Sequence, residues 1–383
     1  MDLHQQAGLY LHIPFCRSKC QYCSFFSFPP QAGEIEDLVA ALHQQMVQVA
    51  ELPEVRELGF ASLFFGGGTP SLLPAEVLAE LLVLCRRLFA WSAEEPEISI
   101  EVNPGTIDGQ GLAALRRAGF NRLSIGVQSL DDTELRRLGR IHSRDQALTT
   151  IKAARDAGFA NLSCDLMYGL PGQTADSWAR TLEEILACAP QHLSLYELTA
   201  EEGTPLWDQV QHHQGILPPE DAVLEMMAMT EALVDQGGWP RYEISNYALP
   251  GYQCRHNLNY WHNGLYLGLG PGAVSALGGE RRAAVADLAE YCRRVGLGET
   301  VWDEVERLEV EAAFRETVVM GLRMTAGVSM ATLKQRFGID LMAYYGSVLP
   351  RLFEQGVLVL EEDRLRLSRR GLAVANRVMA ELV

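Results

Sequence analysis

The fold is decided by the stretch Gly8-Leu-Tyr-Leu-His-Ile-Pro-Phe-Cys-Arg-Ser-Lys-Cys-Gln-Tyr-Cys-Ser-Phe-Phe-Ser-Phe28. Its first part alternates apolar residues at positions 9, 11 and 13 with Tyr10 and His12, a pattern that is typical of a β-strand. Proline interrupts regular secondary structure, so the strand is predicted to end at Pro14. The remainder of the stretch is predicted to be a loop that contains three cysteines.

The three cysteines of this loop, Cys16, Cys20 and Cys23, have the spacing C-x3-C-x2-C. Thiols so close in sequence can converge on one metal centre, and soft thiolates suit zinc or an iron–sulfur cluster. Structural zinc usually has four ligands, and the nearest additional candidate, His12, lies on the strand. A cubane bound by three cysteines leaves one iron open to a ligand. The alternative is that the thiols are merely small apolar side chains.

The loop resembles the cluster loop of the radical S-adenosylmethionine (SAM) superfamily. Residues 10–16 and 22–25 resemble one branch of it, the oxygen-independent coproporphyrinogen oxidases and their haem-chaperone relatives. The resemblance implies a [4Fe–4S] cluster on the three cysteines, with SAM bound at the open iron and Tyr10 and Tyr22 beside it. It also implies that an electron from the cluster can cleave the sulfonium bond of SAM to give a 5′-deoxyadenosyl radical.

Outside this loop, the sequence alternates predicted strands and helices. Further strands are predicted at residues 61–65, 98–102, 122–128, 161–168 and 192–198, and helices at 34–52, 74–89, 109–118, 145–157 and 176–188. Six strand–helix units indicate a parallel sheet, but they are fewer than the eight of a complete barrel. We therefore predict an α/β fold with a partial (β/α)6 TIM-like barrel, which the resemblance also implies.

The later part of the chain has a different pattern. Helices near residues 306–324, 329–337 and 342–355, strands at 357–360 and 364–368 and a last helix to 383 resemble a winged-helix module. The predicted domains are a radical SAM barrel over 1–217, a connecting segment over 218–303 and a small winged-helix-like α+β domain over 304–383. We interpret the last domain as a lid or interface.

Polar and glycine residues follow the predicted strands, at the end of a barrel where reactive residues lie. Gly67, Gly68 and Thr69 allow the backbone to approach a ligand closely, and relatives use such a loop for the amino group of SAM. Arg140 offers a fork suited to a carboxylate, and Asp165 lies in an apolar strand where a ribose diol could pair with it. The predicted SAM-binding residues thus also include Glu101 and Gln128, which can exchange hydrogen bonds with ligand groups.

A second motif separates the two branches of the family. The segment His256-Asn-Leu-Asn-Tyr-Trp261 resembles the H-N-x-x-Y-W motif of the haem chaperones. Histidine is a common haem ligand, and Tyr260 and Trp261 offer flat apolar surface, so His256 is predicted to bind haem iron. Cys254 is a competing soft ligand, and Arg255 is the nearest cation for the propionates. The alternative is that the histidine is an ordinary loop residue and the aromatic pair only packs.

Two further features argue against coproporphyrinogen decarboxylation. The oxidases have an additional cysteine two positions after their loop, where this chain has Phe25, and they have a longer N-terminal extension. We therefore predict a haem carrier that transfers haem to an acceptor haemoprotein, such as a membrane respiratory enzyme. A radical SAM oxidase that acts on a tetrapyrrole is the alternative. An electron donor is expected if SAM is cleaved.

Composition limits the partners and the compartment. The 383 residues have a formal net charge of −17, which disfavours nucleic acid and anionic lipid as partners of the whole protein. The first six residues show no export signal. Eight cysteines in a chain without an export signal indicate that the thiols are reduced. No apolar run approaches the ~20 residues of a membrane span. We expect a cytoplasmic protein, with any membrane association mediated by a partner.

Overall fold

The computed structural model describes residues 6–212 and 216–383. Its centre is a run of six parallel strands, each paired with the next in sequence. These strands are β1 Gln6–Ile13, β2 Gly59–Gly67, β3 Glu97–Val102, β4 Arg122–Gln128, β5 Leu162–Tyr168 and β6 His192–Glu197. Most of their residues are buried, as expected for strands that are covered on both faces. The predicted partial (β/α)6 barrel is confirmed.

Helices cover the outside of these strands. They are α1 Glu34–Ala50, α2 Pro53–Arg56, α3 Ala75–Leu88, α4 Gly109–Ala118, α5 Asp132–Arg137, α6 Arg144–Asp156 and α7 Ala175–Ala187. Asp108, Ser143 and Thr174 cap α4, α6 and α7, and each accepts a hydrogen bond from a free backbone N–H of the first turn. The apolar faces of the longer helices join the strands in one hydrophobic core.

The segment after β6 extends the sheet on both sides. Its elements are α8 Pro205–His212, α9 Glu220–Gly237, β7 Asn246–Ala248, α10 Arg255–Trp261, β8 Leu265–Leu269, β9 Val274–Leu277, β10 Glu280–Ala284, α11 Leu288–Leu297 and β11 Trp302–Arg307. The strand order is β11-β10-β9-β8-β1-β2-β3-β4-β5-β6-β7, so β1 lies between β2 and β8. β8 is parallel to β1, whereas β7 is antiparallel to β6. The barrel is therefore open.

The C-terminal part has its own hydrophobic core and a three-stranded sheet in the order β12-β14-β13. Its elements are α12 Val310–Gly321, β12 Val328–Ser329, α13 Met330–Phe337, α14 Leu341–Tyr345, α15 Val348–Glu354, β13 Leu358–Glu361, β14 Arg364–Leu367, α16 Arg369–Leu372 and α17 Ala375–Ala380. Helices followed by a small antiparallel sheet confirm the winged-helix-like α+β domain. The domain boundaries at 217 and 303 stay predictions.

Three local predictions were wrong. The helix expected from 306 begins at Val310, because the preceding residues pair with β10 as β11. The helix expected over 342–355 is two helices, which are separated at Gly346, where the backbone has a φ of +45°. The last helix is likewise α16 and α17.

No helix of the described part of the chain is long and apolar enough to cross a membrane. Residues 1–5, on which most of the prediction about an export signal rests, lie outside the described residues.

Candidate functional site

The cysteine loop leaves the centre of the sheet at the end of β1 and is fixed at both its base and its tip. At the base, Cys16 N–H donates to the Phe28 carbonyl (3.0 Å) and Phe28 N–H donates to the Pro14 carbonyl (2.9 Å). At the tip, Gln21 N–H donates to the Leu138 carbonyl (3.1 Å), just beyond α5. These bonds hold the loop over the carboxyl ends of the barrel strands.

The three loop thiols line one cavity of about 730 Å³ at this end of the barrel. Cys16 Sγ lies 3.4 Å from Thr69 Oγ1, and Cys23 Sγ lies 3.9 Å from Ser27 Oγ. Burial raises the pKa of the Cys16 thiol, and the hydrogen bond with Thr69 opposes that rise. Within the described ranges no three His, Cys, Asp or Glu side chains surround a single metal ion. In a cubane each cysteine binds a different iron atom, so the thiols need only line a shared cavity.

The glycine loop after β2 passes directly under the cysteine loop. Gly68 N–H donates to the Ile13 carbonyl (2.8 Å) and Thr69 N–H to the Phe15 carbonyl (2.7 Å). A Cβ on Gly68 would lie 2.7 Å from the Phe15 oxygen. Gly67 has a φ of +117°, and a Cβ there would lie 2.7 Å from the His12 ring. Only glycine permits this close approach, so the position of the cysteine loop depends on glycine at positions 67 and 68.

Arg140 lies at the centre of a hydrogen-bond network at the ends of β3 and β4. Its Nη2 donates to Asn103 Oδ1 (2.6 Å) and to the Gly126 carbonyl (2.7 Å), and Nη1 lies 3.7 Å from Cys20 Sγ. Asn103 Nδ2 in turn donates to Thr69 Oγ1 (2.7 Å). Asn103 was not predicted as a site residue, although it follows β3 directly, at the same edge as the residues that were. The network connects the loops after three strands with the cysteine loop.

Gln128 ends β4 with a φ of +63°, which is uncommon for a residue other than glycine. The pairing of β4 with β5 shifts register between Gly126 and Gln128. Such strain persists only where the surrounding structure enforces it, and it is frequent at binding sites. Here the irregularity places Gln128 on the wall of the cavity.

Two carboxylates line the cavity below these loops. Glu101 Oε2 accepts from Gly67 N–H (3.1 Å), and burial together with the charge of Asp165 raises the pKa of Glu101 to about 8. Asp165 accepts from Ser124 Oγ (2.8 Å) and Ser163 Oγ (2.9 Å). Each carboxylate oxygen has a lone pair to spare. Both side chains can therefore accept further hydrogen bonds from a ligand that enters the cavity.

All residues predicted to bind the cluster, SAM or haem, except Arg255 and Trp261, line this one cavity. They are Tyr10, Cys16, Cys20, Tyr22, Cys23, Gly67, Gly68, Thr69, Glu101, Gln128, Arg140, Asp165, His256 and Tyr260. Phe25, at the position where the oxidases have their additional cysteine, lines the cavity and is 68% exposed. The assignment of these cavity residues to the cluster, SAM or haem stays a prediction. The thiols, the glycine loop, the arginine fork and the carboxylates fit the donor set that a cluster with bound SAM needs.

The H-N-x-x-Y-W motif forms α10, a helix rather than a loop. Glu97, the first residue of β3, accepts hydrogen bonds from the backbone N–H groups of Arg255 (3.1 Å) and His256 (3.2 Å) and from the Cys254 thiol (3.5 Å). The two N–H groups are free donors of the first helical turn. Glu97 thus fixes α10 near the amino ends of the strands, below the cavity.

His256 points from α10 into the barrel and is 1% exposed. Its Nδ1 lies 2.9 Å from Ser62 Oγ and its Nε2 lies 3.1 Å from the Tyr260 hydroxyl. Burial and the nearby charge of Arg122 lower the pKa of His256 to about 3, so the ring is neutral. Both ring nitrogens have partners, so binding of iron by His256 would require one of these contacts to break.

Trp261 and Arg255 lie on the other side of α10. Both line a second cavity, between the amino ends of β1 and β2 and the C-terminal domain, and neither lines the first. The Arg323 guanidinium lies 4.3 Å from the centre of the Trp261 ring. Cys254 is fully buried against Glu97. The structure therefore divides the predicted haem residues between two cavities.

Arg122 is a site residue that the sequence did not indicate. It begins β4, where a charged residue would ordinarily face solvent, yet it is 1% exposed and lines the first cavity. The acidic groups of Glu97 and Asp165 lie near enough to favour its charge. Nothing in the local pattern distinguishes Arg122 from a surface arginine, so only the fold reveals it.

Comparisons with known proteins identify the family to which this chain belongs. The radical SAM superfamily matches residues 10–185, and the HemN C-terminal domain matches residues 308–374. The haem chaperone HemW of Bacillus subtilis is 33% identical over 96% of this chain and 97% of its own. The mitochondrial radical S-adenosyl methionine domain-containing protein 1 of Bos taurus is 38% identical over 99% of this chain and 88% of its own.

Among solved structures, coproporphyrinogen III oxidase (HemN) from Escherichia coli, described as a radical SAM enzyme, is similar to this chain. It has a TM-score of 0.86 and 25% identity, over 99% of this chain and 90% of that one. The radical SAM family implies a [4Fe–4S] cluster and SAM as cofactors. The chain belongs to the radical SAM superfamily and, within it, to the family of the haem chaperone HemW.

Proposed function

We propose that this protein binds haem and transfers it to an acceptor haemoprotein, and that its barrel cavity holds a [4Fe–4S] cluster with SAM. The observation that supports this most strongly is the similarity to haem chaperones named HemW, at 33% identity over nearly the full length of both chains. Phe25 at the rim of the cavity adds to it, because a phenylalanine cannot take the place of a thiol ligand.

In the barrel cavity, Cys16, Cys20 and Cys23 would bind the cluster. When bound, the cluster and SAM would supply one-electron cleavage of the sulfonium bond of SAM. Arg140, held by Asn103 and the Gly126 carbonyl, would orient the carboxylate of SAM. The backbone of the glycine loop and the carboxylates of Glu101 and Asp165 would bind the amino and ribose groups of SAM.

For haem, we propose that α10 is the binding element. His256, predicted from the motif as the iron ligand, faces the barrel and would have to leave Tyr260 or Ser62 first. The acceptor would be a haemoprotein, such as a membrane respiratory enzyme. An electron donor is needed only if SAM is cleaved.

The alternative function is that of an oxygen-independent coproporphyrinogen III oxidase. The similarity to HemN favours it at the level of the fold. The two functions share the barrel and differ in what happens to the tetrapyrrole, because an oxidase changes its ligand and a carrier releases it unchanged.

The test is an anaerobic titration of the reconstituted protein with haem, with and without SAM, beside an assay with coproporphyrinogen III, SAM and a reductant. We expect one haem per chain and no protoporphyrinogen. Formation of protoporphyrinogen would favour the oxidase. Absence of any haem binding in either titration would contradict the carrier.

A further inference from the structure

A second cavity, of about 600 Å³, lies on the opposite side of α10 from the cysteines. Its size is within the range of about 300–1,000 Å³ that is typical of small-molecule and cofactor sites. The amino ends of β1 and β2 form one wall, and the C-terminal domain forms the other through α12, α13 and the start of β14. Small residues, among them Ala7, Ala61 and Gly264, leave the space between these walls open.

The charge of this cavity is opposite to that of the chain. Arg255, Arg336 and Arg364 line it, and no acidic residue in the described part of the chain does, although the protein has 49 acidic and 32 basic residues. Arg336 donates to the carbonyls of residues 262 (3.4 Å) and 263 (3.0 Å), and Arg364 to those of residues 326 (3.4 Å) and 327 (3.2 Å). Carbonyl groups do not neutralise a guanidinium, so the cavity attracts anions.

None of these three arginines forms an ion pair with a carboxylate within the described ranges, whereas 12 other arginines do. All three are exposed at the rim of the cavity. Desolvation lowers the pKa of Arg336, and the charge of Glu316 opposes this shift only in part. The rim is therefore suited to carboxylates of a ligand whose remainder lies deeper.

The interior of the cavity is largely apolar. Leu258 and Trp261 of α10 face Met324 and Leu333 across it. The Trp261 ring is large and flat, and its Nε1–H is buried without a hydrogen-bond partner among the described residues. An apolar plate with acidic groups at one edge would bury its face here and leave its acids at the rim.

The second cavity also contains a histidine that can bind a metal. His262, the residue directly after α10, lines the same cavity. Partial burial and the charge of Arg364 lower the pKa of His262, so its ring is neutral near pH 7 and can bind a metal. Unlike His256, it has no side-chain hydrogen bond within the described part of the chain.

We propose that this second cavity is the haem site: the macrocycle lies against Trp261, the propionates pair with Arg336 and Arg364, and His262 binds the iron. The proposal rests on the proposed haem-carrier function and gives it a location. It differs from the motif-based prediction, in which the ligand is His256 on the barrel side of the helix. The first cavity then remains available to the cluster and SAM while haem is bound.

The test uses the full, reconstituted protein, titrated with ferric haem and separately with haem dimethyl ester, which lacks free carboxylates. Arg336→Gln and Arg364→Gln should each weaken haem binding about tenfold, since each removes one charge-assisted hydrogen-bonding group. They should leave the weaker binding of the ester nearly unchanged. Arg370→Gln is the matched control, because Arg370 is exposed and lies outside the cavity.

His262→Ala should change the Soret band, because it removes the proposed iron ligand. Ala93→Trp, which fills the cavity from an irregular surface segment, should abolish uptake, and iron content and SAM affinity report that each variant is folded. Unchanged haem affinity in the two arginine variants, or a Soret band that responds to His256→Ala alone, would overturn this location while the carrier function stands. If the wild-type protein binds no haem, both fail.

Discussion

Replacement of Arg140 tests the SAM site at its most connected residue. Of its five N–H donors, two are used by Asn103 and Gly126, and one faces Cys20 Sγ at 3.7 Å. Two donors remain for a ligand carboxylate. A charge-assisted hydrogen bond is worth ~1.5–3 kcal/mol, so Arg140→Ala should weaken SAM binding roughly ten- to hundredfold. Arg140→Lys keeps the charge but not the fork, so its loss should be at the lower end.

The same substitution has a second, separable cost. Arg140→Ala leaves Asn103 Oδ1 and the Gly126 carbonyl without their donor, which should lower the free energy of unfolding by about 1–3 kcal/mol for each group that stays dry. Arg137→Ala is the control: its Nη1 also donates to a carbonyl, that of Pro171 (2.9 Å), but Arg137 does not line the cavity.

Binding is measured by anaerobic calorimetry with SAM on reconstituted protein, with iron and sulfide determined on the same sample. Cluster content should be unchanged in Arg140→Ala, since the contact with Cys20 is long. An unchanged SAM isotherm in this variant, with a full cluster, would refute the assignment of Arg140 to the carboxylate.

Further predictions concern the cluster, the glycine loop and pH. Replacement of all three loop cysteines with alanine should remove nearly all iron and sulfide, whereas Cys85→Ala, in the core, should not; a cluster that survives the triple change would refute the assignment. Gly68→Ala should lower both cluster content and melting temperature, because its Cβ would lie 2.7 Å from a backbone oxygen, whereas Gly296→Ala, with open space around it, should lower neither. SAM affinity should rise with pH through about 8, since the Glu101 carboxyl is neutral below that pH and becomes a charged acceptor above it. In Glu101→Gln the calorimetric pH profile should lose this rise, and an identical profile would assign it to SAM itself.

The barrel could be predicted because its signals are local. Each of the six strands is a short apolar run followed by a helix with one apolar face, and the parallel order then follows from the connections. β8 was not recognised, because residues 264–272 are rich in glycine and the strand exists only through its pairing with β1, far away in sequence. Likewise, residues 302–307 look like the start of a charged helix, and pairing with β10 makes them a strand.

The candidate site could be predicted to a similar depth. Parallel strands share one carboxyl edge, so residues at strand ends, such as Glu101 and Gln128, were expected to meet. The division of the H-N-x-x-Y-W motif between two cavities could not be predicted. A helix presents its side chains in all directions, and which face meets the barrel is decided by contacts such as Glu97 with the start of α10.

α10 is only seven residues long, about 10 Å, and it is the common wall of the two cavities. His256 and Tyr260 face one ligand space, and Trp261 faces the other. If SAM and haem occupy the two cavities as proposed, a displacement of this helix by either ligand would alter the site of the other and give the two sites a coupling free energy. Thermodynamic reciprocity requires that the factor by which SAM changes haem affinity equals the factor by which haem changes SAM affinity. Under this proposal, release of haem would depend on occupancy of the barrel cavity, without any chemical change to the haem.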